Sequence, residues 1–140
     1  MVQQDETNGK QIIEVELARS GNIYTLNFYV FGVEDSDLIG LLPLIEKTLD
    51  SHNLTKYRMG NPISVMLSEE KRASEPIHVV IDEITRNIAE GLRLDFEEEV
   101  KVERSARLKD YILGMARYEL AVAQAQAQRR TKPRHLYPLL

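Results

Sequence analysis

Two apolar runs separated by a short polar turn near the N-terminus constrain the fold most strongly. In residues 11–18, apolar side chains alternate with polar ones, which is typical of a strand with one buried face. Residues 20–22 are Ser-Gly-Asn, a cluster that suits a tight reversal. Residues 23–31 are then rich in aromatic and β-branched side chains. Together these runs predict a β-hairpin.

The second strand of this hairpin carries apolar side chains on both of its faces. Leu26, Phe28 and Val30 fall on one face, and Ile23, Tyr29 and Phe31 fall on the other. Such a strand belongs in the centre of a sheet, or its second face meets a partner.

Apolar residues at helical spacing predict three helices, over residues 36–51, 76–91 and 104–128. Pro43 interrupts the first of them. It either kinks that helix or begins a shorter one near Leu42, because the first turn of a helix tolerates proline.

Two more strands are predicted, one beginning at Ile63 and one over residues 92–103, where apolar and charged residues alternate. Glu98 falls on the apolar side of the second run, which indicates a bulge or a strand end. Residues 54–61, before Ile63, read as a loop. The expected order is ββαβαβα.

This order predicts an α+β fold: a single domain with a four-stranded mixed sheet, helices packed against it and a long C-terminal helix. We expect a flexible N-terminus over residues 1–10, the domain over residues 11–128, and a basic tail over residues 129–140. The two prolines of the tail favour an extended conformation.

The composition excludes several kinds of chemistry. The 140 residues include no cysteine, so disulfides, thiolate metal sites and cysteine nucleophiles are ruled out. Residues 1–10 are polar and acidic, unlike a secretory signal, and charges interrupt every apolar stretch before the roughly 20 residues that span a bilayer. We therefore expect a cytoplasmic protein without membrane insertion.

The charge is unevenly distributed along the chain, although its net value is only −4. Residues 1–119 hold 14 basic and all 22 acidic residues, a net charge of −8, whereas residues 120–140 carry four basic residues and no acidic one. This asymmetry bears on partners and association rather than on the fold.

Most of the residue patterns that are typical of catalytic, cofactor-binding or metal sites are missing from the sequence. The glycines form no phosphate-binding fingerprint, and no serine lies in a nucleophile elbow. The three histidines, His52, His78 and His135, fall in different predicted elements. We therefore expect no cofactor and no enzymatic activity.

One weaker pattern has a mechanism attached to it. Glu99 and Lys101 form a Glu-x-Lys on a predicted strand, with Asp82 and Asp95 upstream. Metal-dependent nucleases use carboxylates and a lysine of this kind to hold a divalent cation and orient water. The alternative is an ordinary row of charges on the solvated face of a strand.

The candidate binding residues lie at the C-terminal end. Leu113 and Leu120 fall off the main apolar stripe of the last helix, and a helix with two apolar faces often packs on its own domain and on a partner. The candidate partner-binding residues are Leu113, Leu120, Arg129, Arg130, Lys132, Arg134, His135, Leu136, Tyr137, Leu139 and Leu140.

These features indicate a small non-enzymatic assembly or adaptor protein that acts through protein–protein contacts, as a homodimer or within a larger complex. The alternative is a nucleic-acid-associated protein whose basic tail contacts phosphates. The tail could also be a solvated end without a partner, and a metal-dependent nuclease is the weakest alternative.

Overall fold

The computed structural model describes residues 9–67 and 77–136, and the structural statements below refer to these residues. The chain divides into two compact units, with the boundary between Leu108 and Lys109. The first unit is an α+β arrangement, and the second consists of most of a long helix.

Strands and helices alternate irregularly along the chain. The elements are β1 (Gln11–Ser20), β2 (Ile23–Val30), α1 (Asp35–Ile39), α2 (Leu42–Ser51), β3 (Tyr57–Arg58), β4 (Ile63–Leu67), α3 (Ile77–Gly91), α4 (Phe96–Glu99), β5 (Val100–Arg104) and α5 (Ala106–Leu136). The predicted order ββαβαβα is therefore wrong, because α1, β3 and α4 are additional elements.

The five strands form one mixed sheet in the order β3-β4-β2-β1-β5. Strand β5 runs parallel to β1, and the other neighbouring strands are antiparallel. The α+β class with a mixed sheet is confirmed, whereas the predicted number of four strands is wrong. The missed strand, β3, has only two residues and lies within the predicted loop over residues 54–61.

The N-terminal hairpin forms as predicted. Gly21 has a φ of 62°, which favours glycine, and the turn places Ser20 opposite Ile23. Strand β2 lies between β1 and β4, which is the central position that its apolar character indicates. Phe28 of β2 is fully buried, whereas Ile23 at its start is 44% exposed.

One face of the sheet is buried and forms the core with the helices of the first unit. The largest fully buried side chains are Phe28, Ile13, Leu26, Leu38, Ile45, Leu49, Ile63, Ile81, Ile84, Ile88, Leu108 and Val15. Burying one leucine, isoleucine or phenylalanine side chain contributes about 1.5–3 kcal/mol, so this cluster dominates the stability of the unit.

The helix predicted over residues 36–51 is two helices. Gly40 and Leu41 separate α1 from α2, and Pro43 lies in the first turn of α2. A proline there sacrifices no helical hydrogen bond, since the first backbone N–H groups of a helix have no partner within it. The shorter helix beginning near Leu42 was therefore the correct alternative.

The ends of α2 and α3 have the same geometry. Asn53 has a φ of 57°, and the backbone N–H of Leu54 donates to the carbonyl of Leu49 at 2.8 Å. Arg93 has a φ of 60° in the equivalent position after α3. Both helices therefore end in a Schellman motif, which satisfies terminal carbonyl groups and turns the chain sharply.

The strand predicted over residues 92–103 begins only at Val100. The Asp95 side chain accepts a hydrogen bond from the backbone N–H of Glu97 at 3.0 Å, and the Glu99 carboxylate accepts one from the backbone N–H of Asp95 at 2.9 Å. These local bonds favour the helical turn α4 over an extended chain. The predicted bulge or strand end is thus a separate helical element.

The extended conformation predicted for residues 129–140 is wrong for most of the segment. The backbone of α5 remains helical through Leu136, although Pro133 lies within it. The Ala-Gln repeat of residues 121–128 has high helix propensity, and extending an existing helix costs little compared with nucleating one. Residues 137–140, and residues 1–8 of the predicted flexible N-terminus, lie outside the described residues.

Asn61 joins the loop before β4 to the end of β2. Its side-chain nitrogen donates to the carbonyl of Val30 at 2.7 Å and of Val33 at 2.8 Å, while its side-chain oxygen accepts from the N–H of Val30 at 3.0 Å. Its own N–H donates to the carboxylate of Asp35 at 2.8 Å. One residue thus positions β2, β4 and the start of α1.

We expect the substitution Asn61→Ala to lower the free energy of unfolding by about 2–3 kcal/mol, because it leaves partly buried backbone groups of β2 without partners. Urea denaturation followed by circular dichroism measures this change. The control is Asn22→Ala in the exposed β1–β2 turn, which should cost no more than about 0.5 kcal/mol. Equal losses in the two variants would contradict the role of Asn61.

Candidate functional site

Helix α5 carries apolar residues on two faces with different exposure. Tyr111, Ile112, Met115 and Val122 are partly buried. Leu113 and Leu120 are 49% and 59% exposed. Helical residues seven positions apart lie on the same face, so these two leucines form one exposed row.

The positions between and after these leucines extend the row. Positions 116, 123 and 127 hold alanine, and together with the leucines they are separated alternately by three and four residues. This is the spacing of a single helical face that packs against another helix. We call Leu113, Leu120, Ala123 and Ala127 the exposed seam.

Three of the exposed apolar side chains lie on α5. The described residues include seven exposed large apolar side chains, and three of them, Leu113, Tyr118 and Leu120, lie within eight consecutive residues of α5. The other four are Ile23, Phe31, Ile39 and Val79, which lie on or beside different elements of the first unit. The helix is therefore the strongest candidate for a contact surface.

The second face of the sheet, opposite the core, carries a row of polar side chains across three strands. Ser64 on β4, Asn27 on β2 and Glu16 on β1 are directly opposite one another across the three strands. The Ser64 hydroxyl donates to the side-chain oxygen of Asn27 at 2.6 Å, and the side-chain nitrogen of Asn27 donates to Glu16 at 3.3 Å. The alternation of apolar and polar residues in β1 predicted a solvent-exposed face. The pairing of these three residues was not predicted, because the strand order cannot be read from the sequence.

Tyr29 lies beside this polar row. Partial burial, followed by the negative charge and hydrogen bond of Glu16 and the charge of Glu14, raises the pKa of Tyr29 above its ordinary value. The neutral phenol therefore persists to higher pH in the folded chain.

The residues of the nuclease hypothesis serve local structure. Asp82 pairs with Arg86 at 2.9 Å, and Asp95 and Glu99 are hydrogen-bonded within the α4 turn. Lys101 is exposed on β5. Within residues 9–67 and 77–136, no group of three or more metal-ligating side chains is placed to hold a metal ion.

Arg86 connects α3 to α4. Its guanidinium also contacts Glu97 at 2.9 Å and lies over the ring of Phe96, 4.4 Å from the centroid. Hydrogen bonds to Asp82 and Glu97 raise the pKa of Arg86 further above its ordinary value. The arrangement fixes the α4 turn to α3.

Two polar pairs join α2 to α3. His52 Nε2 lies 2.7 Å from a carboxylate oxygen of Glu83, and the side-chain nitrogen of Asn87 donates to the hydroxyl of Thr48 at 2.6 Å. Both pairs link side chains from the two packed helices, which gives His52 a structural role.

The described residues of the first unit line at least two cavities. The larger, about 190 Å³, is mostly apolar and is lined by residues that include Ile23, Leu54 and Met66. The smaller, about 140 Å³, lies beside Asp35 and Arg58. Both are below the roughly 300–1,000 Å³ that pockets for cofactors and drug-sized ligands occupy.

The basic and apolar candidates at the C-terminal end remain predictions. The side chains of residues 129–136, and all of residues 137–140, lie outside the described part of the structure. The structure places only the backbone of residues 129–136, on α5.

Comparison of the chain with known protein families, curated proteins and solved structures gives no match. Among the described helices, none combines the length and the apolar character needed to cross a membrane.

We expect Glu16→Gln to lower the pKa of Tyr29 towards its ordinary value, because the substitution removes the negative charge next to the phenol. The chain has six tyrosines and no tryptophan, so a tyrosinate absorbance titration with pH reads phenol ionisation directly. Tyr29→Phe assigns the relevant transition, and Glu90→Gln on α3 serves as the charge-matched control. An unchanged Tyr29 transition in Glu16→Gln would contradict this electrostatic account.

Proposed function

We propose that the protein is a small non-enzymatic assembly or adaptor protein that acts through protein–protein contacts, either as a homodimer or within a larger complex. The observation that carries this proposal is the exposed seam of α5. Leu113 and Leu120 are 49% and 59% exposed, and a partner that covers these apolar side chains lowers the free energy of the system.

The size of that gain supports a contact surface. Covering a leucine that is about half exposed contributes roughly half of the about 1.5–3 kcal/mol that complete burial provides. The alanines of the seam allow a partner to approach the helix backbone closely. The long helix presents these groups on a rigid element.

We expect the double substitution Leu113→Gln with Leu120→Gln to weaken association at least tenfold, because it removes the apolar side chains while glutamine preserves helix propensity. Light scattering after size-exclusion chromatography measures self-association. Capture with the immobilised full chain from a native extract, resolved by mass spectrometry, measures binding to other proteins.

The matched control is Ile39→Gln, which removes an exposed apolar side chain of similar exposure, 51%, from α1. It should leave both measurements unchanged. A chain that neither self-associates nor retains a specific protein, or one whose associations survive the double substitution, would contradict the proposed function.

A further inference from the structure

We infer that a second copy of this chain occupies the exposed seam, with the two α5 helices packed antiparallel about a twofold axis. This inference rests on the proposed function, because it takes the seam to be a contact surface and names its partner.

The pattern of side-chain sizes along this face of α5 suits self-pairing. Leucine occupies positions 113 and 120, and alanine occupies positions 116 and 123. In an antiparallel pair the sequence order of one helix is reversed against the other, so each leucine can face an alanine of the second copy. A twofold interface uses the same patch on both copies, and alternating large and small residues fill it without voids.

The distribution of charge selects the orientation of the helices. Residues 1–105 contain 11 basic and 20 acidic residues, a net charge of −9, whereas residues 106–140 contain seven basic and two acidic residues, a net charge of +5. Four of these basic residues lie in the C-terminal stretch 129–134. Parallel pairing would place this stretch beside its own copy, and the like charges would repel.

Antiparallel pairing brings the basic end of each helix towards the first turn of the other. That first turn is covalently joined to the acidic first unit, since α5 begins at Ala106 directly after β5. The four basic residues of the stretch 129–134 of one copy are thus directed towards the −9 unit of its partner. This complementarity favours a second copy over a partner of unrelated charge.

The short length of the seam makes the pairing depend on both apolar burial and electrostatic attraction. Helix α5 has 31 residues and is about 46 Å long, whereas residues 113 to 127 span only about 21 Å. A seam this short buries few apolar side chains, so the charges contribute a large part of the affinity. The dissociation constant of the dimer should therefore rise roughly tenfold or more when salt is raised from about 0.05 M to about 0.5 M.

The orientation can be tested in the full chain with single cysteines, because the natural sequence contains none. Asp110 and Gln124 are exposed and lie 14 residues apart, which places them on the same side of the helix. Equal amounts of Asp110→Cys and Gln124→Cys chains are mixed and treated with a short bismaleimide linker. Antiparallel pairing predicts links between 110 and 124, whereas parallel pairing predicts 110–110 and 124–124 links.

Excess 110–124 product that disappears in the Leu113→Gln, Leu120→Gln background supports the inference. Predominant like-with-like links, product that survives in that background, or a dimer insensitive to salt would overturn it. A chain that is monomeric at all concentrations but captures another protein through Leu113 and Leu120 would contradict the inference that the partner is a second copy. The proposed function would still hold. A chain that neither self-associates nor captures another protein would contradict both the proposed function and the antiparallel dimer.

Discussion

The first unit depends on burial of one face of its sheet. Strands β1, β2 and β4 each direct apolar side chains to the same side, where Phe28 and its neighbours are fully removed from water. Helices α2 and α3 contribute buried residues to the same core, and polar pairs such as His52 with Glu83 join them. The opposite face of the sheet carries a hydrogen-bonded polar row, and the side chains of this row can remain in contact with water.

The elements that the sequence predicted well are those in which local pattern and burial agree. The β1–β2 hairpin, α3 and β4 each combine a clear period with a chemically defined end. The predictions failed where side chains bond to nearby backbone, as Asp95 does in α4, because alternation alone does not distinguish a strand from a capped turn. Strand order was not predictable, since it depends on pairings between residues far apart, such as Gln11 with Val100.

The candidate surface was only partly predictable for a similar reason. Helical spacing identifies Leu113 and Leu120 as a second apolar row, but only the structure assigns their exposure. The polar network around Tyr29 was missed because its members come from three strands whose register the sequence does not encode. Helix α3 and its neighbours complete a core, whereas α5 carries exposed apolar side chains.

Hydrogen–deuterium exchange of the full chain over a series of protein concentrations tests the central claim most directly, because it reports where backbone amides become protected. If α5 is the assembly element, amides of residues 109–128 will exchange more slowly as the concentration rises or as a captured partner is added. Amides of β2, within the core, will be unaffected. The claim that α5 is the assembly element would be contradicted if the amides of residues 109–128 exchange at the same rate at every protein concentration and after addition of every captured protein.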